Sequence, residues 1–367
     1  MRVLHVISDE NIGGAGVLLL NLLRNFDGRV DSYVALPQGS ALCERMASVG
    51  VTVCELHAPC DRGTAASVRE LVRLIRATGV DLVHANAALS ARIAGRICRV
   101  PVVHTRHCCY PPSGIWRNRA VRFVGGCWNR LLSDRVIATA DAAAENLLGL
   151  GIPARKIDVV INGSDTVREV GAEELVQFRR TWGIGEEDFV VGICARLEAC
   201  KGHDVFLEMA RILQARGRFF KLLIVGDGSR RRELEARVAQ MGLQGAVVFT
   251  GFVRDMAPVY RILRVNVNCS QGTETSCLAI SEGMSAGVPA VVSDYGGNRA
   301  MIGESMAGRV VPVGDAMAFA DAVWEIAGDM ELEQRMRAAA YARYLQRYTA
   351  RAMAEQVTQV YKRVLKQ

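Results

Sequence analysis

Short apolar runs alternate with segments of helical periodicity along almost the whole chain. The runs are rich in Val, Ile and Leu and end in polar residues or glycine; they include residues 2–8, 80–86, 101–107, 133–139, 157–165, 190–196, 221–229 and 247–253. Continuous apolar runs of this length are typical of strands buried on both faces of a parallel sheet. Because helical patterns separate the runs, the sequence predicts an α/β fold built from parallel strand-helix units.

A polar stretch from Thr166 to Glu187 divides the runs into two sets. A chain of 367 residues is long enough for two domains. We therefore predict a first domain over residues 1–168 and a second over residues 169–348. A last helical pattern follows, from Arg351 to Leu365.

Two glutamates in the second domain, Glu274 and Glu282, lie eight residues apart around a short polar turn. Residues 276–278 are predicted to open a helix that runs to about residue 286. The first turn of a helix leaves backbone N–H groups unpaired, and these form a seat for an anion such as a diphosphate. The alternative is an ordinary helix whose glutamates face solvent.

Two cations follow the strand that begins at Val190, namely Arg196 and Lys201. Ligands of parallel sheets collect at the carboxyl ends of strands. Arginine supplies a forked donor and lysine a point charge for phosphate oxygens. Taken singly, each residue is also consistent with a surface charge.

These two pairs together resemble the signature of the family 4 retaining glycosyltransferases, which have the GT-B fold. Arg-x4-Lys-Gly matches the first strand and helix of that family's C-terminal domain, and Glu-x7-Glu matches its donor motif. The resemblance covers essentially the whole chain. It implies two Rossmann-like domains that face each other across a cleft, with residues 349–367 crossing back onto the N-terminal, acceptor-binding domain. The C-terminal domain would bind the nucleotide sugar.

The resemblance also assigns roles to individual residues. Arg196, Lys201 and the backbone of Ser276, Cys277 and Leu278 would hold the diphosphate, and Glu282 the ribose. Glu274 would orient the donor sugar. The remaining contacts with the donor implied by the resemblance are Gly14 and Gly16, in a loop after the first strand, and Val253 beside the base. Gly226, in a Gly-Asp-Gly turn, is a further candidate because glycine lets the backbone approach a ligand closely.

His107 follows the strand at residues 101–106 and matches the family's active-site histidine, which lies near the transferred sugar. A single histidine at a strand end is otherwise more typical of a hydrogen-bonded structural residue. His104 is the alternative, but the two-residue period of a strand sends it to the opposite face.

The implied reaction moves a sugar from a UDP- or GDP-sugar to an acceptor hydroxyl with retention of configuration. The catalytic residues would be His107, Glu274, Arg196 and Lys201, with no cofactor and no metal, since the chain contains no Asp-x-Asp. The family's Glu-Gly-Phe-Gly is Glu274-Thr-Ser-Cys277 here, which leaves the donor sugar open. The acceptor would be a glycan or lipid-linked, in polysaccharide, lipopolysaccharide or glycolipid synthesis.

Composition favours a cytoplasmic enzyme without a signal peptide. Half of the residues are hydrophobic, and no apolar run reaches the roughly 18 to 20 residues of a membrane span. The 11 cysteines are scattered without Cys-x-x-Cys spacing, which predicts reduced thiols. Cys108 and Cys109 adjoin His107, so a reactive thiol is conceivable, although neighbouring cysteines make a poor metal site.

The net charge of +7 lies mostly in the first domain, and residues 106–133 contain no acidic residue. Apolar residues recur there at helical spacing among arginines: Trp116, Ala120, Phe123, Val124, Cys127, Trp128 and Leu131 with Arg117, Arg119, Arg122 and Arg130. The pattern suits a helix lying on an anionic membrane, which would put the enzyme at the inner membrane face. The alternative is a core helix with a basic outer face, interrupted at Gly125 and Gly126.

Two other classes of function remain. A nucleotide-sugar epimerase of the same two-domain architecture would need acid and base carboxylates in the cleft. A basic nucleic-acid-binding protein would need aromatic residues beside its arginine clusters, and the chain has only four Trp. We therefore expect no nucleic-acid partner.

Overall fold

The computed structural model describes residues 1–9, 13–107, 114, 118–217, 220–272 and 274–366. The chain divides into two compact units, unit 1 (Met1–Ser164 with Thr349–Gln367) and unit 2 (Asp165–Tyr348). The division falls slightly before the predicted boundary at residue 168. Among the described residues, no helix combines the length and apolarity needed to cross a bilayer.

Unit 1 contains a parallel sheet with α-helices between its strands. The strands are β1 (Arg2–Ile7), β2 (Asp31–Pro37), β3 (Thr52–Leu56), β4 (Leu82–Asn86), β5 (Val102–Arg106), β6 (Arg135–Ala138) and β7 (Ile157–Val159). The helices are α1 (Gly14–Arg24), α2 (Cys43–Ala47), α3 (Ala65–Thr78), α4 (Leu89–Cys98), α5 (Arg119–Leu132) and α6 (Asp141–Gly149). The strand order is β3-β2-β1-β4-β5-β6-β7.

Unit 2 repeats this architecture. Its strands are β8 (Phe189–Cys194), β9 (Phe220–Val225), β10 (Val247–Gly251), β11 (Val265–Asn268), β12 (Ala290–Ser293) and β13 (Gly308–Val311), in the order β10-β9-β8-β11-β12-β13. Its helices are α7 (Ala172–Thr181), α8 (His203–Ala215), α9 (Arg231–Gln240), α10 (Ala257–Ile262), α11 (Leu278–Ser285), α12 (Asn298–Ile302), α13 (Ala316–Gly328) and α14 (Met330–Arg347). The predicted class of two parallel α/β domains is confirmed.

The last helix, α15 (Ala350–Leu365), belongs to unit 1, as predicted. Its apolar face is buried, and the Tyr361 hydroxyl lies 2.6 Å from His84 Nδ1 on β4. Gly163 packs against the start of this helix, and a Cβ there would lie 2.3 Å from the Thr349 carbonyl oxygen. Only glycine therefore permits this close approach.

Two glycine segments differ from the sequence predictions. Helix α1 begins at Gly14, so Gly14 and Gly16 lie in its first turn and not in a loop. A Cβ on Gly16 would lie 2.7 Å from a Leu42 methyl group, so a larger residue there would require the Leu42 side chain to shift. Helix α5 runs through Gly125 and Gly126 without interruption. A Cβ on Gly126 would lie 2.7 Å from the Gly151 carbonyl oxygen, so glycine lets the helix pack closely.

Candidate functional site

The candidate donor site in unit 2 lies where the chain reverses its direction of travel across the sheet. Strands β8 and β11 are neighbours; from β8 the chain proceeds towards β10, and from β11 it proceeds towards β13. The crevice outside the carboxyl ends of two such strands is the usual binding place in open α/β sheets. Arg196 and Lys201 follow β8, and Glu274 follows β11, so the topology brings the predicted residues to one place.

Lys201 and Glu274 form an ion pair at this edge, with Lys201 Nζ 2.7 Å from Glu274 Oε2. The Ser270 hydroxyl donates to the same oxygen at 2.8 Å. Glu274 is buried, with 7% of its surface exposed. Burial would lower the pKa of Lys201, but the Glu274 carboxylate outweighs burial and the pKa is raised. Lys201 therefore keeps its charge at neutral pH.

A glycine allows the loop after β8 to pack closely against the loop after β11. Gly202 has φ of 69°, and a Cβ there would lie 2.1 Å from the Cys269 carbonyl oxygen. The Gln271 N–H donates to the Cys200 carbonyl oxygen at 2.8 Å and joins the same loops. Because the backbones touch, the lysine after β8 reaches the carboxylate after β11.

Arg196 stands in the same loop but is exposed. It forms no ion pair with any residue that the structure describes. A guanidinium in this state keeps its donors available to an incoming anion.

Helix α11 begins at Leu278, after Cys277, as the sequence predicts. Cys277 provides no side-chain cap for this first turn. Thr275 and Ser276 precede it and are buried. The first turn thus has the donors of an anion seat, beside Lys201.

Glu282 lies on α11 one to two turns after this seat. Its Oε2 accepts a hydrogen bond of 2.8 Å from the hydroxyl of Tyr260, which is fully buried on α10. Burial raises the pKa of Glu282 to about 7, although the hydrogen bond from Tyr260 opposes the rise. Glu282 is half-buried and its carboxyl group is hydrogen-bonded to Tyr260, so it is not the fully solvated side chain of the alternative.

Gly226 and Val253 were predicted to contact the nucleotide-sugar donor. In the structure both contact other residues of the protein. Gly226 has φ of 135°, and a Cβ there would lie 2.1 Å from the Ala195 carbonyl oxygen. Val253 packs against the apolar cluster of unit 2 that contains Val225 and Tyr260. The exposed aromatic ring beside it, Phe252, is 56% exposed and was not singled out in the sequence. The donor contacts of Gly226 and Val253 remain predictions.

His107 lies in unit 1, directly after β5. Its Nε2 is 3.1 Å from Asn86 Oδ1 at the end of β4. Since an amide oxygen only accepts, this contact places the proton on Nε2. Burial lowers the pKa of His107 to about 4, so the ring is neutral at neutral pH. The alternative residue, His104, is buried within β5.

A cavity of about 20 Å3 lies beneath His107 at the carboxyl ends of β4 to β7. Its polar wall consists of His84, Asn86, Thr105, His107, Thr139 and Asn162. Asn86 Nδ2 is buried and has no partner among the described residues. The other lining residues are apolar: Leu18, Leu19, Leu22, Ile137, Val160, Met353 and Val357. A cavity of this size with polar groups on one side has room for one water molecule.

Three residues that support the site were not singled out in the sequence: Asn86, Tyr260 and Ser270. Asn86 and Ser270 carry a weak signal, since each lies at or just after the end of a strand. Tyr260 carries none, because it is a buried residue of an apolar helix. Cys108 and Cys109 lie outside the described residues. Within the described part of the chain, no three His, Cys, Asp or Glu side chains form a metal-binding group.

Comparison with protein families matches nearly the whole chain. Residues 177–343 match the model of glycosyl transferases group 1, and residues 12–168 match that of glycosyltransferase family 4. The two matched segments correspond to unit 2 and unit 1.

Individual relatives agree with these matches. An alpha-D-kanosaminyltransferase of Streptomyces kanamyceticus is 28% identical over 84% of this chain and 77% of its own length. A 2-deoxystreptamine glucosyltransferase of the same organism is 32% identical over 64% of each chain. The crystal structure of Anabaena Alr3699/HepE in complex with UDP-glucose is 22% identical, covers 99% of this chain and 100% of that one, and has a TM-score of 0.85. With both units matched to glycosyltransferase models and the GT-B fold shared with solved members, the chain belongs to the family 4, group 1 glycosyltransferases and is a hexosyltransferase.

Proposed function

We propose that this enzyme transfers a hexose from a UDP- or GDP-sugar to a hydroxyl group of a glycan or lipid-linked acceptor, with retention of configuration. The observation that carries the proposal is the cluster at the carboxyl ends of β8 and β11. There Lys201 and Glu274 are paired beside the start of α11, with Glu282 further along the same helix.

The diphosphate is proposed to bind at the first turn of α11, next to Lys201 and Arg196. Lys201 has three N–H donors and gives one to Glu274, so two remain for phosphate oxygens. Negative charge grows on the diphosphate as the sugar departs. Fixed cations and backbone N–H groups directed at such charge usually make the largest single contribution to stabilising the transition state.

Glu274 and Glu282 are proposed to orient the donor. Glu274 already accepts two hydrogen bonds, and a carboxylate has further lone pairs for sugar hydroxyls. Glu282 keeps one oxygen beyond its contact with Tyr260 and can accept from the ribose hydroxyls. The pairing of Glu274 with a buried cation argues against its acting as a free nucleophile.

His107 is proposed to contact the transferred sugar as a neutral imidazole. Its Nε2 proton is engaged with Asn86, which fixes the ring orientation. With no unpaired carboxylate assigned as nucleophile, we favour substitution on one face, in which the departing phosphate takes the acceptor's proton. No step of this scheme requires a bound metal.

The relatives support the donor class and leave the acceptor open. The Anabaena protein was solved with UDP-glucose, and the two Streptomyces relatives are named for transfer of kanosamine and glucose. We propose a role in cell-envelope polysaccharide, lipopolysaccharide or glycolipid synthesis, in the cytoplasm, on the strength of the family resemblance.

The first test is thermal stabilisation by UDP, GDP, ADP and their sugars. We expect one diphosphate to stabilise the wild type and to lose this effect in Lys201→Ala and Glu282→Ala. Lys221→Ala and Glu235→Ala are matched controls in unit 2, on β9 and α9. Absence of a shift with every nucleotide would contradict the proposed donor site.

The second test is the stereochemistry of the product. Proton NMR of the first turnover reports the anomeric configuration directly. A product with the donor's configuration supports retention, and the opposite configuration overturns it while leaving the donor site intact.

A further inference from the structure

Helix α5 carries an exposed apolar stripe on the surface of unit 1. Val124, Trp128 and Leu131 are spaced four and three residues apart, so they lie on one face of the helix. Their exposed fractions are 54%, 61% and 66%. We call these three residues the α5 stripe.

The stripe is a consequence of how α5 packs. Its glycine face is buried, with Gly126 against the carbonyl oxygens of Leu150 and Gly151. The face with large apolar side chains is therefore turned outward. Most amphipathic helices bury their apolar face. An exposed apolar patch is typical of a site that binds a protein, a membrane or a ligand.

Cations surround the C-terminal end of the stripe. Lys156 Nζ lies 2.7 Å from the carbonyl oxygens of both Arg130 and Ser133. Arg96 Nε lies 2.6 Å from the Leu131 carbonyl oxygen, which brings the end of α4 alongside. Ile97, next to Arg96 on α4, is 54% exposed and adds to the apolar surface.

The positive charge of this region is largely uncompensated. Arg99, Arg130 and Arg155 are exposed, and none forms an ion pair with a residue that the structure describes. Asp134, the first acidic residue after α5, is already paired with Arg96 at 2.9 Å. Residues 106–133 contain no carboxylate at all.

We propose that the α5 stripe docks unit 1 onto an anionic lipid surface. Trp128, Leu131 and Val124 would enter the interfacial region of the bilayer, where the amphipathic ring of tryptophan is favoured. Arg99, Arg130 and Arg155 would contact lipid phosphates. An apolar face with cations at its C-terminal end fits this partner, because binding then gains from both apolar burial and attraction to anionic headgroups.

The α5 stripe lies in unit 1, whereas the proposed donor chemistry lies in unit 2. Its three exposed residues are the members of the apolar pattern over residues 106–133 that would make the contact. The predicted contribution of Trp116 lies outside the described residues.

The test is vesicle flotation with the full-length protein. Phosphatidylcholine vesicles are compared with an equimolar mixture of phosphatidylcholine and phosphatidylglycerol. We expect flotation with the mixture and little with phosphatidylcholine alone. A Trp128→Ser/Leu131→Ser variant should lose roughly tenfold or more of the binding, and Arg130→Glu/Arg155→Glu should lose a similar factor.

The matched control is Val176→Ser/Leu345→Ser, which removes two exposed apolar side chains of unit 2, 65% and 53% exposed. It should float like the wild type. Thermal stabilisation by the donor nucleotide is measured on every variant, so misfolding and loss of lipid binding are distinguished.

Two results overturn the proposal. Equal flotation of the wild type and the stripe variant removes the stripe from lipid binding. The second result is that the wild type does not float. If light scattering then shows a dimer that Trp128→Ser dissociates, the surface binds a second copy of the chain. If the protein is instead retained on DNA and Arg130→Glu abolishes this retention, the surface binds nucleic acid.

Discussion

The carboxyl edges of the two sheets place polar residues at similar positions but use different chemistry. In unit 2 the edge holds a charged pair, Lys201 with Glu274, and a carboxyl group, Glu282, held by Tyr260. In unit 1 the hydrogen-bonded pairs are neutral, namely His107 with Asn86 and His84 with Thr105, and Arg106 is the last residue of β5. Burial lowers the pKa of both histidines, so neither is protonated at neutral pH.

This difference indicates which ligand each edge can accept. A phosphate is bound by fixed cations and unpaired N–H groups, and unit 2 places Lys201 at the same edge as the uncapped first turn of α11. Neutral imidazole and amide groups exchange hydrogen bonds with hydroxyl groups at little electrostatic cost. The comparison therefore favours the diphosphate in unit 2 and hydroxyl-bearing sugar or acceptor groups in unit 1.

The strongest test of the charged edge is Lys201→Ala. It removes a cation from the proposed phosphate site, and we expect kcat/KM to fall by about 100-fold or more. It also leaves Glu274 buried without its cation, which should cost roughly 3 kcal/mol of unfolding free energy. Steady-state kinetics and urea unfolding measure the two effects.

The double variant Lys201→Ala/Glu274→Gln separates these effects. Neutralising Glu274 should restore most of the lost stability, because no unpaired charge remains buried, and activity should stay low. Recovery of activity together with stability would mean that Lys201 acts only through the fold.

The neutral edge is tested by His107→Ala. Loss of a positioned imidazole beside the sugar should lower kcat by about 100-fold, a typical value for a group that acts on the reacting atoms. Asn86→Ala leaves the imidazole in place but frees its orientation, so a smaller loss of kcat, roughly tenfold, is expected.

The pH dependence of the rate gives a second test of His107. Because the pKa of His107 is about 4, its protonation should not contribute to the pH-rate profile near neutrality. If His107→Ala removes an inflection near pH 7, the histidine titrates there and the edge is not neutral.

Glu282 predicts a pH dependence of donor binding. Its pKa of about 7 means that the carboxylate gains a proton as the pH falls through 7 and loses an acceptor for the ribose hydroxyls. The donor KM should therefore rise several-fold on acidification, and Glu282→Gln should remove this dependence.

The raised pKa of Glu282 also affects stability, but in the opposite direction: acidification should weaken donor binding and increase the unfolding free energy. A folded-state pKa above the ordinary value of 4.5 means that the folded protein binds the proton more tightly. The contribution of Glu282 to the unfolding free energy should therefore decrease as the pH rises from about 4.5 to 7. A stability curve in which Glu282→Gln matches the wild type across this range would contradict the assignment.

The smallest expected effect is that of Tyr260→Phe. It removes one hydrogen bond, worth about 1 kcal/mol, from the buried side of Glu282. Because that bond lowers the pKa of Glu282, its loss should shift the midpoint of the KM profile to higher pH. An unchanged midpoint would show that Tyr260 does not act on the carboxyl group.

The alternation of apolar runs and helical segments was sufficient to predict two parallel α/β domains, since buried strands and amphipathic helices leave local patterns. The start of α11 at Leu278 agrees with the helix expected after the polar turn at Glu274. Glycines were harder to interpret. Gly226 suggested close approach to a ligand, yet the structure gives it a neighbour in the protein, the Ala195 carbonyl oxygen. Gly125 and Gly126 suggested a break in a helix that in fact continues.

By itself the sequence determined the strand order along the chain, the charged residue types after β8 and β11, and the basic, acid-free segment around α5. These are local properties, carried by residues close together in the chain. Only the tertiary structure decided that Lys201 meets Glu274 and Ser270, that Glu282 is held by Tyr260, that Asn86 orients His107, and that Trp128 faces outward. Each of these contacts depends on which loops the parallel sheet brings together and which helix face the glycines allow to pack, and no local pattern encodes either.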